Sequence, residues 1–249
     1  MKVYFIGAGP GDHKLITLKA VEIMKKCSIC LYAGSLVNKR VLDYMPPESE
    51  IYDSSGLTLE DMKGIYIKAK NSNKNVARLH TGDPSLYGAI GEQMELLMDL
   101  GIDYEIIPGV SSFQAAAAVL KKELTIPEIS QSVILTRLGG RTPVPERESI
   151  SLLSKHSATM CIFLSVHMIE KLVEELIKGY SVKTPVVVLY RVTWSDQIII
   201  RGTLENIANK VRKANIKKTG LVIVGEVLEE MTGKRSRLYD GNFNHGYRK

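Results

Sequence analysis

The apolar positions of this chain change period repeatedly. Short runs at 3–6, 29–32, 76–80 and 104–107, bounded by turn residues, read as strands. Between them the spacing lengthens to three and four, which predicts helices over about 17–26, from 58 towards 70, and over 87–100, with a short one after Gly34-Ser35. Thr17 is the expected N-cap of the first, and Thr58 with Asp61 has the spacing of a capping box. Gly101 stops the third. The first half therefore reads β-α-β-α-α-β-α-β.

Pro108-Gly109 is a plausible hinge, and Ser111 or Ser112 caps the alanine-rich helix that follows. Beyond it the same alternation predicts strands at 132–136, 159–164, 185–190, 197–201 and 220–226, with helices after 147, at 168–178 and at 203–213. The fold class is α/β. The expected organisation is an N-terminal domain over 1–110, a C-terminal domain over 111–230 and a basic tail over 231–249, with a ligand in the cleft between the domains.

Composition narrows the function classes. The 249 residues are 45% hydrophobic and 24% charged, ordinary values for a globular chain. The longest apolar stretches are strand length, far short of the ~20 residues that span a bilayer, so no membrane partner is expected. The N-terminus shows no signal-peptide pattern, and a cytoplasmic location is the expectation. A net charge of +6 invites nucleic acid, but only 16 aromatic residues and no recognisable RNA or zinc-finger pattern weaken that reading. An anionic small molecule explains the excess equally well. Cys27, Cys30 and Cys161 suit a reducing compartment, and no metal site is expected, because a Cys-x-x-Cys pair alone lacks two of the ligands zinc needs.

Four stretches carry candidate chemistry. Gly7-Ala8-Gly9-Pro10-Gly11 follows a strand but has Asp12 where a dinucleotide fingerprint requires glycine, so it stands for a close backbone approach or a tight turn. Thr81-Gly82-Asp83-Pro84 ends another strand, where ligands of open α/β sheets sit, and Asp83 is restricted by the proline after it. Pro108 to Ser112 turns into a helix N-terminus with free N–H donors. Arg137 and Arg141 place two guanidinium forks on a Gly/Pro loop, suited to carboxylates, although each stretch taken alone could be an ordinary turn or a solvated loop. No metal-ligand or triad spacing involves the five histidines.

Taken together the stretches are more specific. Val3 to Asp12 matches the Val-x-x-x-Gly-Ala-Gly-Pro-Gly-Asp start of the tetrapyrrole methylases. The chain resembles that family throughout, through 31–37, 78–94, 107–117, 134–145, 194–204 and the tail at 237–240. His13 departs from it, standing where many members have proline.

The resemblance implies two α/β domains with S-adenosylmethionine in the cleft between them, and a homodimer. The cofactor site it implies comprises Pro10, Gly82, Asp83, Leu86, Ser111, Ser112, Phe113, Leu164, Val192, and Gly220 or Leu221, several through backbone atoms. The implied substrate is a tetrapyrrole macrocycle with eight carboxylates, methylated at C11 of precorrin-4 or its cobalt form, with Arg137 and Arg141 on its carboxylates. Asp83 is the first candidate for a catalytic or positioning role. No nucleic acid is expected, the alternatives being another tetrapyrrole position, an RNA ribose, or a non-catalytic nucleotide- or RNA-binding module.

Overall fold

In the computed structural model, which describes residues 1–229 and Gly246, the first apolar runs form an all-parallel sheet in the order β3-β2-β4-β1-β5. Its strands are β1 (Lys2–Gly7), β2 (Ile29–Tyr32), β3 (Glu50–Asp53), β4 (Val76–His80) and β5 (Asp103–Ile107). The period of two sends successive side chains to opposite faces, and both faces are covered. On one face Ile6, Cys30, Ala77 and Leu79 pack with Ala20 and Met24 of α1 (Leu18–Met24). On the other, Val3, Phe5, Leu31 and Val76 pack with Tyr66 of α2 (Leu59–Asn71) and Leu97 of α3 (Gly91–Asp99).

The predicted caps are present. Thr17 Oγ1 accepts from Ala20 N, and Thr58 and Asp61 close a reciprocal capping box. The predicted 87–100 helix starts later, at Gly91, because Tyr87 and Ala89 take left-handed φ of 57° and 48° around Gly88. Two 3-10 turns, Gly34–Leu36 and Lys39–Tyr44, replace the short helix expected there.

The strand β3 has no counterpart in the sequence reading. Only Ile51 and Tyr52 are apolar in it, and it sits at the sheet edge with its exposed positions alternating. Its pairing with β2 and the anchoring of Glu50 to Lys68 at 2.6 Å and Lys74 at 3.0 Å are tertiary events that no local pattern announces.

The second sheet is mixed, in the order β6-β7-β10-β8-β9. It comprises β6 (Val133–Arg137), β7 (Thr159–Phe163), β8 (Pro185–Tyr190), β9 (Ile198–Thr203) and β10 (Gly220–Val224), and only β6 and β7 are parallel. Met160, Ile162, Val186, Val188, Val222 and Val224 bury one face against α5 (Ile150–Leu153), α6 (Ile169–Leu176) and α7 (Ile207–Lys213). The helix expected from 203 begins at Ile207, because β9 runs on through Thr203 and Asn206 Oδ1 accepts its N–H at 3.2 Å.

Two compact units result, Met1–Ala115 with Val192–Ser195, and Ala116–Arg191 with Asp196 onward. The division lies inside α4 (Ser112–Leu120) and not at the Pro108-Gly109 turn, since a continuous helix carries the chain across. Val192–Ser195 returns to the first unit from the β8–β9 connection, which a linear division at 110/111 does not anticipate. The tail expected over 231–249 lies outside the described residues, Gly246 apart. Among the described residues no helix is long and apolar enough to cross a membrane.

The Glu50 anchor carries a pH signature. Hydrogen bonds from Lys68, Tyr52 and Lys74 hold its carboxyl down at about 2, below the ordinary ~4.3. A lowered folded-state value stabilises the fold fully above the ordinary value and is lost as pH falls towards the folded one. Glu50→Gln should therefore melt below the parent at pH 7, with the gap closing between about pH 4.3 and pH 2, read as melting temperature against pH.

Candidate functional site

The parallel sheet places β4, β1 and β5 side by side, so the three loops at their C-terminal ends start as neighbours. Each begins with or soon reaches glycine, and the backbones touch. A Cβ on Gly7 would lie 2.5 Å from Gly109 Cα and 2.7 Å from Gly82 O, and one on Gly109 would lie 2.2 Å from Gly82 O. Only hydrogen fits at either position. Gly9 and Gly82 form an isolated bridge, with Gly82 N donating to Gly9 O at 2.8 Å and Gly9 N to Gly82 O at 3.3 Å. Gly82 takes a left-handed φ of 63° to do so.

Asp83 fastens this junction. Its Oδ2 accepts from Gly109 N at 2.8 Å, and its Oδ1 accepts from Ser85 N at 2.8 Å and from the Ser85 hydroxyl. Burial raises the pKa of this carboxyl, but the bonds from Ser85 and the Gly109 N–H outweigh it and hold it below its ordinary value. Both oxygens are thus committed to protein donors. The geometry makes Asp83 the residue that sets the distance between two loops.

These contacts gather one part of the expected site. Pro10, Gly82, Asp83 and Ser111 come together, since the Cα of Ser111 lies 3.6 Å from where a Gly82 Cβ would stand. Leu86 stays close through its N–H bond to Asp83 O at 3.3 Å. Ser112 and Phe113 open α4, whose first N–H groups have no intrahelical partner. Val192 belongs to this unit through the returning segment and is buried. After Asp12 the chain forms a 3-10 turn, His13–Leu15, with the Asp12 carboxylate capping Lys14 N, so histidine in place of proline is accommodated.

The remaining expected residues meet at one end of the other unit's sheet. The antiparallel register of β10 with β7 (Val222 opposite Ile162) puts the start of β10 at the end of β7 after which Leu164 follows, and Gly220 faces Tyr190 on β8. Leu164 has a left-handed φ of 52° and is 63% exposed, unusual for a large apolar side chain, while Leu221 is buried. Arg137 pairs with Phe163 in the β6–β7 ladder and so ends at the same edge. Its guanidinium donates to Thr142 O at 3.0 Å and Pro143 O at 2.8 Å, shaping its own loop, and Arg141 on that loop is exposed.

Two groups not among the expected site residues complete the picture. His80, at the end of β4, is 5% exposed, and burial and then Arg78 push its pKa down to about 3, so it is a neutral ring. Trp194, the chain's single tryptophan, donates from Nε1 to Pro10 O at 3.0 Å. Its sequence signal is its rarity and its place at the start of the 194–204 stretch that resembles the family. The Cys27, Cys30 and Cys161 thiols are buried and pushed up to about 12 by desolvation, which disfavours the thiolate.

The junction fits S-adenosylmethionine. Its three loop segments, 7–12, 81–86 and 108–113, contain no Lys or Arg, its carboxylate is already satisfied and the adjacent imidazole is neutral, so no fixed cation there opposes a sulfonium.

Comparison with known proteins agrees with that chemistry. Residues 2–208 match the family model described as Tetrapyrrole (Corrin/Porphyrin) Methylases. A cobalt-precorrin-4 C(11)-methyltransferase of Methanocaldococcus jannaschii is 55% identical over 249 residues, covering 100% of this chain and 96% of that protein. The X-ray structure of a cobalt precorrin-4 methyltransferase of cobalamin biosynthesis superposes with a TM-score of 0.89 at 45% identity, covering 92% and 96% of the two chains. A uroporphyrin-III C-methyltransferase from Thermus thermophilus complexed with S-adenosylhomocysteine matches with a TM-score of 0.76 at 27% identity, covering 92% and 99%. The chain belongs to the tetrapyrrole methylase family and is an S-adenosylmethionine-dependent methyltransferase.

Proposed function

We propose that this methyltransferase acts on C11 of precorrin-4, with the cobalt-bearing macrocycle as its substrate. The observation that carries the reading is the Gly7–Gly82–Gly109 junction fastened by Asp83, in which Gly82 and Asp83 are positions where family resemblance expects the methyl donor. The named activity of the 55% identical relative supplies the substrate. Action in the cytoplasm, as a homodimer and without nucleic acid, belongs to the same reading.

S-adenosylmethionine supplies an electrophilic sulfonium methyl, which a nucleophilic ring carbon takes in line with departure of the thioether. The chain's part is orientation, which for well-aligned reactants lowers such barriers by ~7–11 kcal/mol. The turns through Pro10 and Gly82 shape the donor's site, and the first turn of α4 at Ser112 and Phe113 offers it backbone N–H groups. Asp83 works through the loops it spaces, as a positioning residue. Leu164, Gly220 and Leu221 belong to the same proposal. Arg141 pairs with a substrate carboxylate, while Arg137 keeps that loop in shape through Thr142 and Pro143.

Labelled S-adenosylmethionine with cobalt-loaded or metal-free precorrin-4 tests the reading. The expected product is a macrocycle carrying one new methyl at C11, formed faster from the cobalt form; methylation elsewhere, or none, rejects it. Asp83→Asn keeps the size but sets an NH2 against an N–H donor, and loss of one charge-assisted bond of ~1.5–3 kcal/mol should lower kcat/KM about 10- to 100-fold with unchanged circular dichroism. Full activity would reject the positioning role. Arg141→Ala should raise KM for the macrocycle roughly tenfold with a smaller change in kcat, the pattern of lost uniform binding.

A further inference from the structure

We propose that Val192–Ser195 is a strap that sets the first glycine loop for cofactor binding, with Trp194 as its positioning residue. The proposal rests on the reading that the loop through Pro10 holds S-adenosylmethionine.

That loop is long and nearly bare. Between the end of β1 at Gly7 and the start of α1 at Leu18 its regular structure is the 3-10 turn His13–Leu15. Its three central residues are nevertheless each gripped from elsewhere. Pro10 O accepts from Trp194 Nε1 at 3.0 Å, and Asp12 N donates to Thr193 Oγ1 at 2.9 Å. Gly11 O, on the residue between, accepts from Asn38 Nδ2 at 2.8 Å. The indole lies so close over Gly11 that a Cβ there would stand 2.2 Å from Trp194 Cδ1 and 2.8 Å from Val192 O. Pro10 and Asp12 thus bond to the strap through their backbone, while Gly11, held by Asn38, lies against the indole, and the glycine is required by the tryptophan.

The strap itself is strained. Thr193 has a φ of 68°, and Arg191, directly before the strap, one of 46°. The left-handed region is a true outlier for a β-branched residue. Such conformations persist where surrounding contacts over-determine them, and they cluster at ligand sites. Here the strained turn carries the Thr193 hydroxyl and the indole N–H to consecutive portions of the loop.

The consequence concerns affinity more than fold. Gly9, directly before the gripped residues, makes the bridge to Gly82 beside Asp83. With the strap in place the loop enters that bridge already ordered, so cofactor binding does not have to order it. Without the strap the sheet and its two apolar faces are intact, because none of the four strap residues lies in either face cluster of the first unit.

Titration with S-adenosylhomocysteine tests this. Trp194→Phe keeps an aromatic ring and deletes the Nε1–H donor; Gly11→Ala is the second variant and displaces the indole from the loop side. Both should bind S-adenosylhomocysteine more weakly by calorimetry, Trp194→Phe by about fivefold, the equivalent of ~1 kcal/mol. KM for S-adenosylmethionine should rise in step, kcat at saturation should fall less, and melting temperature should stay near the parent's. In the parent, emission from Trp194 should change on saturation with ligand. Equal dissociation constants in parent and both variants overturn the strap, as does weaker binding that only tracks a fallen melting temperature. If the parent binds no S-adenosylhomocysteine, the first-loop reading falls and the strap with it; if Asp83→Asn weakens binding while Trp194→Phe and Gly11→Ala do not, the strap alone falls.

Discussion

The first unit depends on three backbones being allowed to touch. Gly7, Gly82 and Gly109 stand at the C-terminal ends of three adjacent parallel strands, and the space between them is closed by main-chain atoms alone. Any Cβ at Gly7 or Gly109 would force adjacent strand ends apart, since its nearest neighbours are backbone atoms that cannot rotate away. Asp83 then converts close approach into a fixed distance by accepting from Gly109 N. A site made this way is stiff without side-chain bulk, which leaves backbone N–H and C=O groups available to a ligand.

The junction is braced from within the sheet. Arg78 is 6% exposed and finds hydrogen-bond acceptors in Gln93 Oε1 at 3.1 Å and Ser54 Oγ at 2.8 Å. Burial lowers its pKa. Gln93 also accepts from Tyr66 Oη and donates to Ala89 O, inside the loop that follows β4, while Ser54 holds the chain leaving β3. One buried guanidinium therefore links the chain that leaves β3 with the loop that follows β4. A buried network of this kind gives definition to loops that would otherwise be ordered only by the ligand.

The other unit solves a different problem with register. Its central strands are apolar along most of their length, and the ladder alone decides which residues meet at which end. Leu164, Gly220 and Arg137 lie far apart in the chain and finish at one edge. Arg137 spends its guanidinium on its own loop, whereas Arg141 on that loop is exposed. The overall charge of +6 thus says little by itself, and its placement says more.

Strand and helix alternation, the Thr17 and Thr58 caps and the family relation were legible in the residues, because each is a local pattern or a contiguous motif. The edge strand β3, the delayed start of α3 and the helix-spanning division between units were not, because they follow from pairing and turn geometry at a distance. The same divide runs through the site. The sequence by itself determined that Gly82, Asp83 and Ser111 sit at strand ends, where an α/β sheet offers its backbone to ligands. Only the tertiary structure decided that the Asp83 carboxylate is occupied by Gly109 and Ser85, and that Trp194 returns from far along the chain to lie on Gly11. Hydrogen bonds and close contacts between residues remote in sequence have no local signature, and they exist only once the sheet has brought its strand ends together.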